Sequence, residues 1–193
     1  MDASEIQKRL DEEIKLFPYL DFFPRLHTSV FLASGVKIIG DVDIGEDSSV
    51  WYNTVVRGDV NYIRIGKLTN IQDCSMLHVT NEKFPLNIGD KVTIGHSVTL
   101  HGCTLKNLCL IGMGAVVLDG AVIEEKSIVA AGSVVKQNFI VPTGKLAAGV
   151  PAKIVRELSN QELDEFEKSA LRYRKYTQIT KESLRNFKQT NVY

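Results

Sequence analysis

The chain has only three cysteines, Cys74, Cys103 and Cys109, with five prolines and one tryptophan among 193 residues. Three cysteines without CxxC spacing cannot build a disulfide framework, and they fit a reducing compartment. Charge of one sign is also missing. The 23 basic residues balance 23 acidic ones, for a formal net charge of zero. That removes any general electrostatic pull toward nucleic acid or an anionic membrane surface. No apolar run approaches the ~18 residues that suggest a membrane span. Met1 is followed by Asp2 and Glu5 rather than by a basic and then an apolar segment, so no secretory signal is visible. These absences leave a soluble, cytoplasmic protein of one domain with appendages, long enough to bury a core.

What is present is a repeat. Aliphatic residues recur every six positions at Leu26, Leu32, Ile38, Ile44, Val50 and Val56. After offsets the step resumes at Ile65, Ile71 and Leu77, at Ile88, Ile94 and Leu100, and at Ile111, Val117, Ile123, Val129 and Val135. Four residues after most of them stands a small or β-branched residue, such as Val36, Ser48, Thr54, Val60, Thr69, Ser75, Val98, Thr104, Ala115 or Ser127. Glycine often follows the aliphatic residue directly, at Gly45, Gly66, Gly89, Gly95 and Gly112. This pattern predicts a parallel β-helix. Each hexad supplies one short strand and one corner, and three hexads make a triangular coil whose core exists only by stacking on its neighbours. The aliphatic residue points inward, the small residue fills the corner, and glycine is expected to permit the turn.

The two ends differ from the middle. Residues 4–16 open with a Ser-x-x-Gln capping box and place Ile6, Leu10 and Ile14 on one helical stripe. From Ser159 a Ser-x-x-Glu box precedes a second stripe of Leu163, Phe166, Ala170, Tyr173 and Thr177. The organisation expected is a helix and capping segment over 1–25, a β-helix over 26–150, and a helical segment over 151–193 packed on its outside. An open coil end must be covered to prevent edge pairing, and FPYLDFF is a candidate for that.

Counting coils organises the histidines. Val56, Leu77 and Leu100 stack on the third face, so the residues after them, Arg57, His78 and His101, point outward in one column. His78 and His101 then lie one coil apart, near the ~4.8 Å strand spacing, within reach of one metal at ~2.0–2.1 Å. His96 lies on the second face with Asp73 at the same place one coil below and Gln72 beside that. It points away from the pair in its own chain, so as a third ligand it comes from a neighbouring subunit of a ring. Three imidazoles with an open fourth position describe a catalytic zinc site, and they also accept cobalt or ferrous iron.

The stretch VVRGDVNYIRIGKLTNIQDCSMLHV followed by IGHSVTLHGC resembles the γ-class carbonic anhydrases and their bacterial relatives. LAAGVPAKIVREL resembles the exit from the coil in that family, although AGVPAK and the hexapeptide ladder also occur in hexapeptide acyltransferases. The resemblance implies a left-handed β-helix assembled as a homotrimer. It implies zinc, or Fe2+ or Co2+, held by His78, His96 and His101, with His96 from the adjacent subunit. It makes Gln72 the residue that orients the nucleophile or carbon dioxide, and Asp73 its neighbouring carboxylate. Arg57 and Asp59 match a pair that bridges the trimer interface, and Tyr173 an aromatic that reaches back to the glutamine. The implied reaction is hydration of carbon dioxide to bicarbonate by a metal-bound hydroxide formed near neutral pH. The family's acidic proton-shuttle loop is reduced here to VTNEKFPLN with Glu82 alone, and Val60 stands where an acidic residue is usual, so low or buffer-dependent turnover is expected. Two other readings remain: an acyltransferase or thioesterase acting on acyl-CoA, which needs one histidine base rather than three, and a catalytically weak metal-binding scaffold.

Overall fold

A computed structural model of the protein describes residues 15–190. The chain winds into a parallel β-solenoid of about 7 turns, closed on one flank by a long C-terminal helix. Three inward ladders fill the triangle. The first runs Ile44, Ile65, Ile88, Leu105, Ile123 and Val141, each paired in register with the next or one strand away. The second runs Leu32, Val50, Ile71, Ile94, Ile111, Val129 and Ala147. The third runs Ile38, Val56, Leu77, Leu100, Val117 and Val135. From Ile38 on, nearly all these side chains are fully buried, because stacking removes their apolar surface from water coil by coil.

The structure extends the repeat beyond the six-residue count. Leu105 is an inward residue that the count misses, because the step from Leu100 to it is one residue short. The corner residue of that coil is therefore buried Cys103, not half-buried Thr104. Val60 is also not a corner residue, since it lies in an insertion where the strand pairing shifts register. All three irregular steps, near Val60, at the Thr80–Phe84 loop and at Gly102, fall between the third face and the first.

The glycines work differently from expectation. Gly45, Gly66, Gly89, Gly95 and Gly112 do not have positive φ. They are glycine because a Cβ there would run into the backbone of the next coil or a side chain bonded to it. The left-handed residues stand two places further on, as Asp47, Asn53, Leu68, Cys74, Lys91, Ser97, Leu108 and Lys126, or as Gly114 and Gly132.

At the lower end, strand Lys15–Phe17 pairs in parallel with Lys37–Ile39 and covers the first coil. Lys15 and Leu16 are thus strand rather than the end of a helix, and the expected helix over 4–14 lies outside the described residues. At the upper end, Ala152–Glu157 turns back antiparallel on Lys145–Gly149. Helix α1 (Asn160–Thr190) follows. Its capping box forms as read: the Ser159 N–H donates to Glu162 Oε2 at 2.8 Å, and the Glu162 N–H donates to Ser159 Oγ at 3.3 Å. Phe166, Ala170 and Thr177 are buried against the second face, with Tyr173 edge-on to Trp51.

The outward columns differ by face. On the first face the lower column is Arg25, Asp43, Arg64 and Asn87, with Arg25 and Arg64 both paired to Asp41 and Asp43, and the upper column is Thr104, Val122 and Ile140. On the third they are Lys37, Val55, Met76, Thr99, Val116 and Val134. On the second, α1 covers the lower half, while Leu110, Ile128 and Leu146 stay uncovered above it.

Candidate metal centre

His78 and His101 follow Leu77 and Leu100, and the two strands pair so that His101 stands directly against His78. Their ring centroids are 5.1 Å apart, and His78 Nδ1 lies 3.1 Å from His101 Nε2. The other nitrogen of each ring meets a carboxylate. His78 Nε2 lies 3.0 Å from Asp59 Oδ1, and His101 Nδ1 lies 2.8 Å from Asp119 Oδ1. Asp59 is further held by Arg57 and by the Val60 N–H at 2.9 Å. Thr80 Oγ1 donates to Asp119 Oδ1 at 2.8 Å.

A carboxylate can only accept, so each ring carries its proton on the carboxylate side. With both rings neutral, the two nitrogens that face each other both present lone pairs. Such a pair repels unless a cation lies between. Two ligands of a tetrahedral metal at ~2.0–2.1 Å are about 3.3 Å apart, close to the separation found here. Burial, with Arg57 and His101 adding to it and the Asp59 bond opposing, holds the His78 imidazolium below its ordinary pKa, which keeps the ring in the neutral, ligating form. Burial works to raise the Asp59 and Asp119 carboxyls, but His78 and Arg57 on one, and Thr80 and His101 on the other, outweigh it and hold both below the usual carboxylate range.

His96 shows the same pattern on another face. Its Nδ1 lies 2.6 Å from Asp73 Oδ2, as the coil alignment requires. Its side chain is 47% exposed, against 18% for His78 and 32% for His101, so it is the most open ring of the three. Among the described residues of a single chain, no three His, Cys, Asp or Glu side chains converge as a metal group. His96 stands between two clefts. One of about 370 Å³ is walled by Trp51, Tyr52, Tyr173 and Tyr176. The other, about 510 Å³, runs up the second face past Leu110, Ile128 and Leu146.

Gln72 is buried beside the second cleft, and its amide donates to Asn70 Oδ1 at 3.1 Å. The chain continues through Asn70 to Thr93 Oγ1 at 3.0 Å, and Thr93 meets Ser169 of α1 at 3.1 Å. Tyr173 is not part of it. Its ring is engaged by Trp51 and Tyr176, with centroids at 5.8 and 5.6 Å, and no hydrogen bond among the described residues joins it to Gln72. Burial, with the Asp73 charge nearby, raises its phenol pKa. Arg57 pairs with Asp59 of its own chain. Asp119, Thr80 and Asn70 are absent from the sequence reading. The signal for Asp119 is the shortened coil: Leu100 pairs with Val117, 17 residues on, and Asp119 stands two residues past Val117 at the same corner.

Fold and site together define a hexapeptide-repeat β-helix protein with carboxylate-backed histidines at one corner. No protein-family model matches the chain. It is 42% identical to gamma carbonic anhydrase 2, mitochondrial, of Arabidopsis thaliana, across 98% of this chain and 70% of that protein. It is 47% identical to a carbonic anhydrase of Geobacillus kaustophilus, across 82% and 86%. A crystal structure of a hexapeptide transferase family protein from Anaplasma phagocytophilum superposes with a TM-score of 0.82 at 44% identity, covering 86% of this chain and 98% of that one. The chain belongs to the γ-class carbonic anhydrase-like family, several of whose curated members are named carbonic anhydrases, lyases of the carbonate dehydratase type.

Proposed function

We propose that the protein is a carbonic anhydrase that interconverts carbon dioxide and bicarbonate at a metal held between subunits of a homotrimer. His78 and His101 of one chain and His96 of the next would supply the ligands. The observation that carries this is the pair of facing nitrogens, His78 Nδ1 and His101 Nε2, 3.1 Å apart with both outer nitrogens on carboxylates. Only a third ligand from outside the pair is lacking, and among the described residues His96, on a different face, is engaged through Nδ1 alone. The uncovered apolar stretches of the outward columns, Leu110, Ile128 and Leu146 on the second face and Val116 and Val134 on the third, suit faces that pack on neighbouring subunits. Zinc fits three imidazoles, and Fe2+ or Co2+ fits them too.

When bound, such a metal lowers the pKa of water enough to make hydroxide available near neutral pH. The chain's own groups do the rest. Asp59, fixed by Arg57, and Asp73 hold the His78 and His96 rings by their protonated nitrogens. Gln72 spends its amide N–H on Asn70, so its carbonyl oxygen remains to accept a hydrogen bond from the nucleophile and orient it. Tyr173 acts through the aromatic wall of the His96 cleft. Hydration releases one proton per bicarbonate, and Glu82 is the acidic side chain of the adjoining loop. A reducing cytoplasmic setting suits the three free thiols. Acyl transfer draws on the long cleft that ends at His96, and metal dependence separates the two.

The test is metal content on protein purified without chelators, wild type beside His96→Ala. About one zinc, iron or cobalt per chain, lost in the variant while the trimer persists, supports the proposal. A trimeric wild type that holds no metal, and takes none up when it is added, rejects it.

A further inference from the structure

We infer that Asp119 is the positioning residue for His101, fixing which ring nitrogen faces the metal, and that Gly102 is glycine to let it do so. This rests on the three-histidine reading. Val116–Val117 pairs directly with Thr99–Leu100, so Asp119 sits one coil on from His101, at the same corner. Its Oδ1 lies 2.8 Å from His101 Nδ1 and accepts from Thr80 Oγ1 at 2.8 Å, and its Oδ2 accepts from the Gln137 amide at 3.3 Å. Thr80, His101, Asp119 and Gln137 come from four successive coils, so the carboxylate cannot swing away without breaking bonds on both sides. Among the described ion pairs its one partner is His101, with no lysine or arginine, so it is not a surface ion-pair anchor.

The second observation is independent. Gly102 follows His101 directly and has φ of 53°. A Cβ there would collide with Asp119 Oδ1 and stand 2.7 Å from Phe84 Cβ. The corner is also one residue short at this point, which draws the next coil's aspartate toward the imidazole. With Asp119 the site has one carboxylate for each histidine: Asp59 for His78, Asp73 for His96 and Asp119 for His101. An accepting carboxylate forces the proton onto His101 Nδ1 and leaves the Nε2 lone pair toward His78. Without it the ring is free to take the other tautomer or to rotate, and either change removes a metal ligand.

The experiment compares the full-length wild type with Asp119→Ala, Asp119→Asn and Gly102→Ala. Zinc affinity is read by competition with a chromogenic chelator, and the His101 tautomer by 15N-histidine NMR. Asp119→Ala is expected to weaken zinc binding about 10–100-fold, the range seen when a ligand's supporting carboxylate is removed. Its His101 Nδ1–H signature should be lost. Gly102→Ala should move affinity the same way by displacing the carboxylate. Asp119→Asn keeps an acceptor oxygen, so it should retain the tautomer and the unfolding midpoint of the zinc-free protein, with a several-fold loss of affinity. Should the alanine variant not fold, the asparagine variant decides, and unchanged affinity there overturns the inference. Wild-type affinity in a folded Asp119→Ala protein overturns it too, while leaving the three-histidine site standing. A wild type that binds no zinc overturns both.

Discussion

Gly95→Ala tests the idea that glycine follows the inward aliphatic because of the next coil rather than because of its φ. A methyl group at Gly95 would stand 2.8 Å from the Met113 nitrogen, 3.0 Å from the Ile111 oxygen and 3.1 Å from the Met113 Cα. None of these atoms can rotate away. Relief requires the two coils to separate by several tenths of an ångström against the Gly95 to Ile111 and Thr93 to Cys109 hydrogen bonds, 2.8 and 2.9 Å long. Overpacking of this kind costs about 1–3 kcal/mol, and the backbone partners place Gly95→Ala near the upper end. The contrast is Gly132, with φ of 67° and open space where a Cβ would go. Asn53 and Asn138 already hold equivalent corners at φ of 58° and 57°. Gly132→Asn should therefore cost less than about 0.5 kcal/mol, since asparagine visits this region routinely. Equilibrium urea unfolding followed by circular dichroism, at one fixed protomer concentration, measures both. Metal content should also fall in Gly95→Ala, because His96 is the next residue. A Gly95→Ala protein as stable as wild type, or a Gly132→Asn protein as damaged as Gly95→Ala, refutes the reasoning.

The thiols should divide sharply. Cys109 is buried, its pKa pushed up to about 12 by desolvation, and Cys103 is buried too, whereas Cys74 is exposed. At most one thiol per chain should react with a chromogenic disulfide reagent in the native protein, and three in denaturant; rapid native labelling of all three contradicts the corner assignment. The Arg156 bond, then the Ser159 backbone and hydroxyl bonds, lower the Glu162 carboxyl from 4.5 to about 2. A lowered folded pKa means its contribution is present above pH 4.5 and disappears as pH falls toward 2. Glu162→Gln should therefore lose α1 helicity less steeply than wild type across that window, and parallel profiles count against the capping box. For an active preparation, added imidazole buffer should raise the rate of carbon dioxide hydration, because Glu82 is the one acidic residue of the loop. A rate indifferent to buffer implies a proton route through other groups.

Much of the fold was legible because a solenoid writes its period into the chain. Each inward position meets the same environment, so aliphatics recur wherever the wall recurs. Legibility failed where the period broke. The short step hid Leu105 and made Thr104 look like a corner residue in place of Cys103. The strand at Lys15–Phe17 was hidden for another reason. It directly follows the helical stripe that ends at Ile14, and pairing with Lys37–Ile39 supplies hydrogen bonds that local propensity does not reveal.

The site was legible to the depth of one column. His78 and His101 follow from counting inward residues, and His96 over Asp73 follows from the same count. What counting cannot supply is the contact between a column and the corner beside it. Asp59 reaches His78 only because an insertion bends its strand, and Asp119 reaches His101 only because a deletion and a glycine close the gap. The insertion, the loop and the deletion all lie at the corner that carries the two histidines. A regular corner brings a carboxylate onto an imidazole only from the same place one coil away, as Asp73 meets His96. Breaking the repeat there lets carboxylates meet imidazoles across coils. The departures from the period thus bring Asp59 to His78 and Asp119 to His101, while the period itself brings Asp73 to His96.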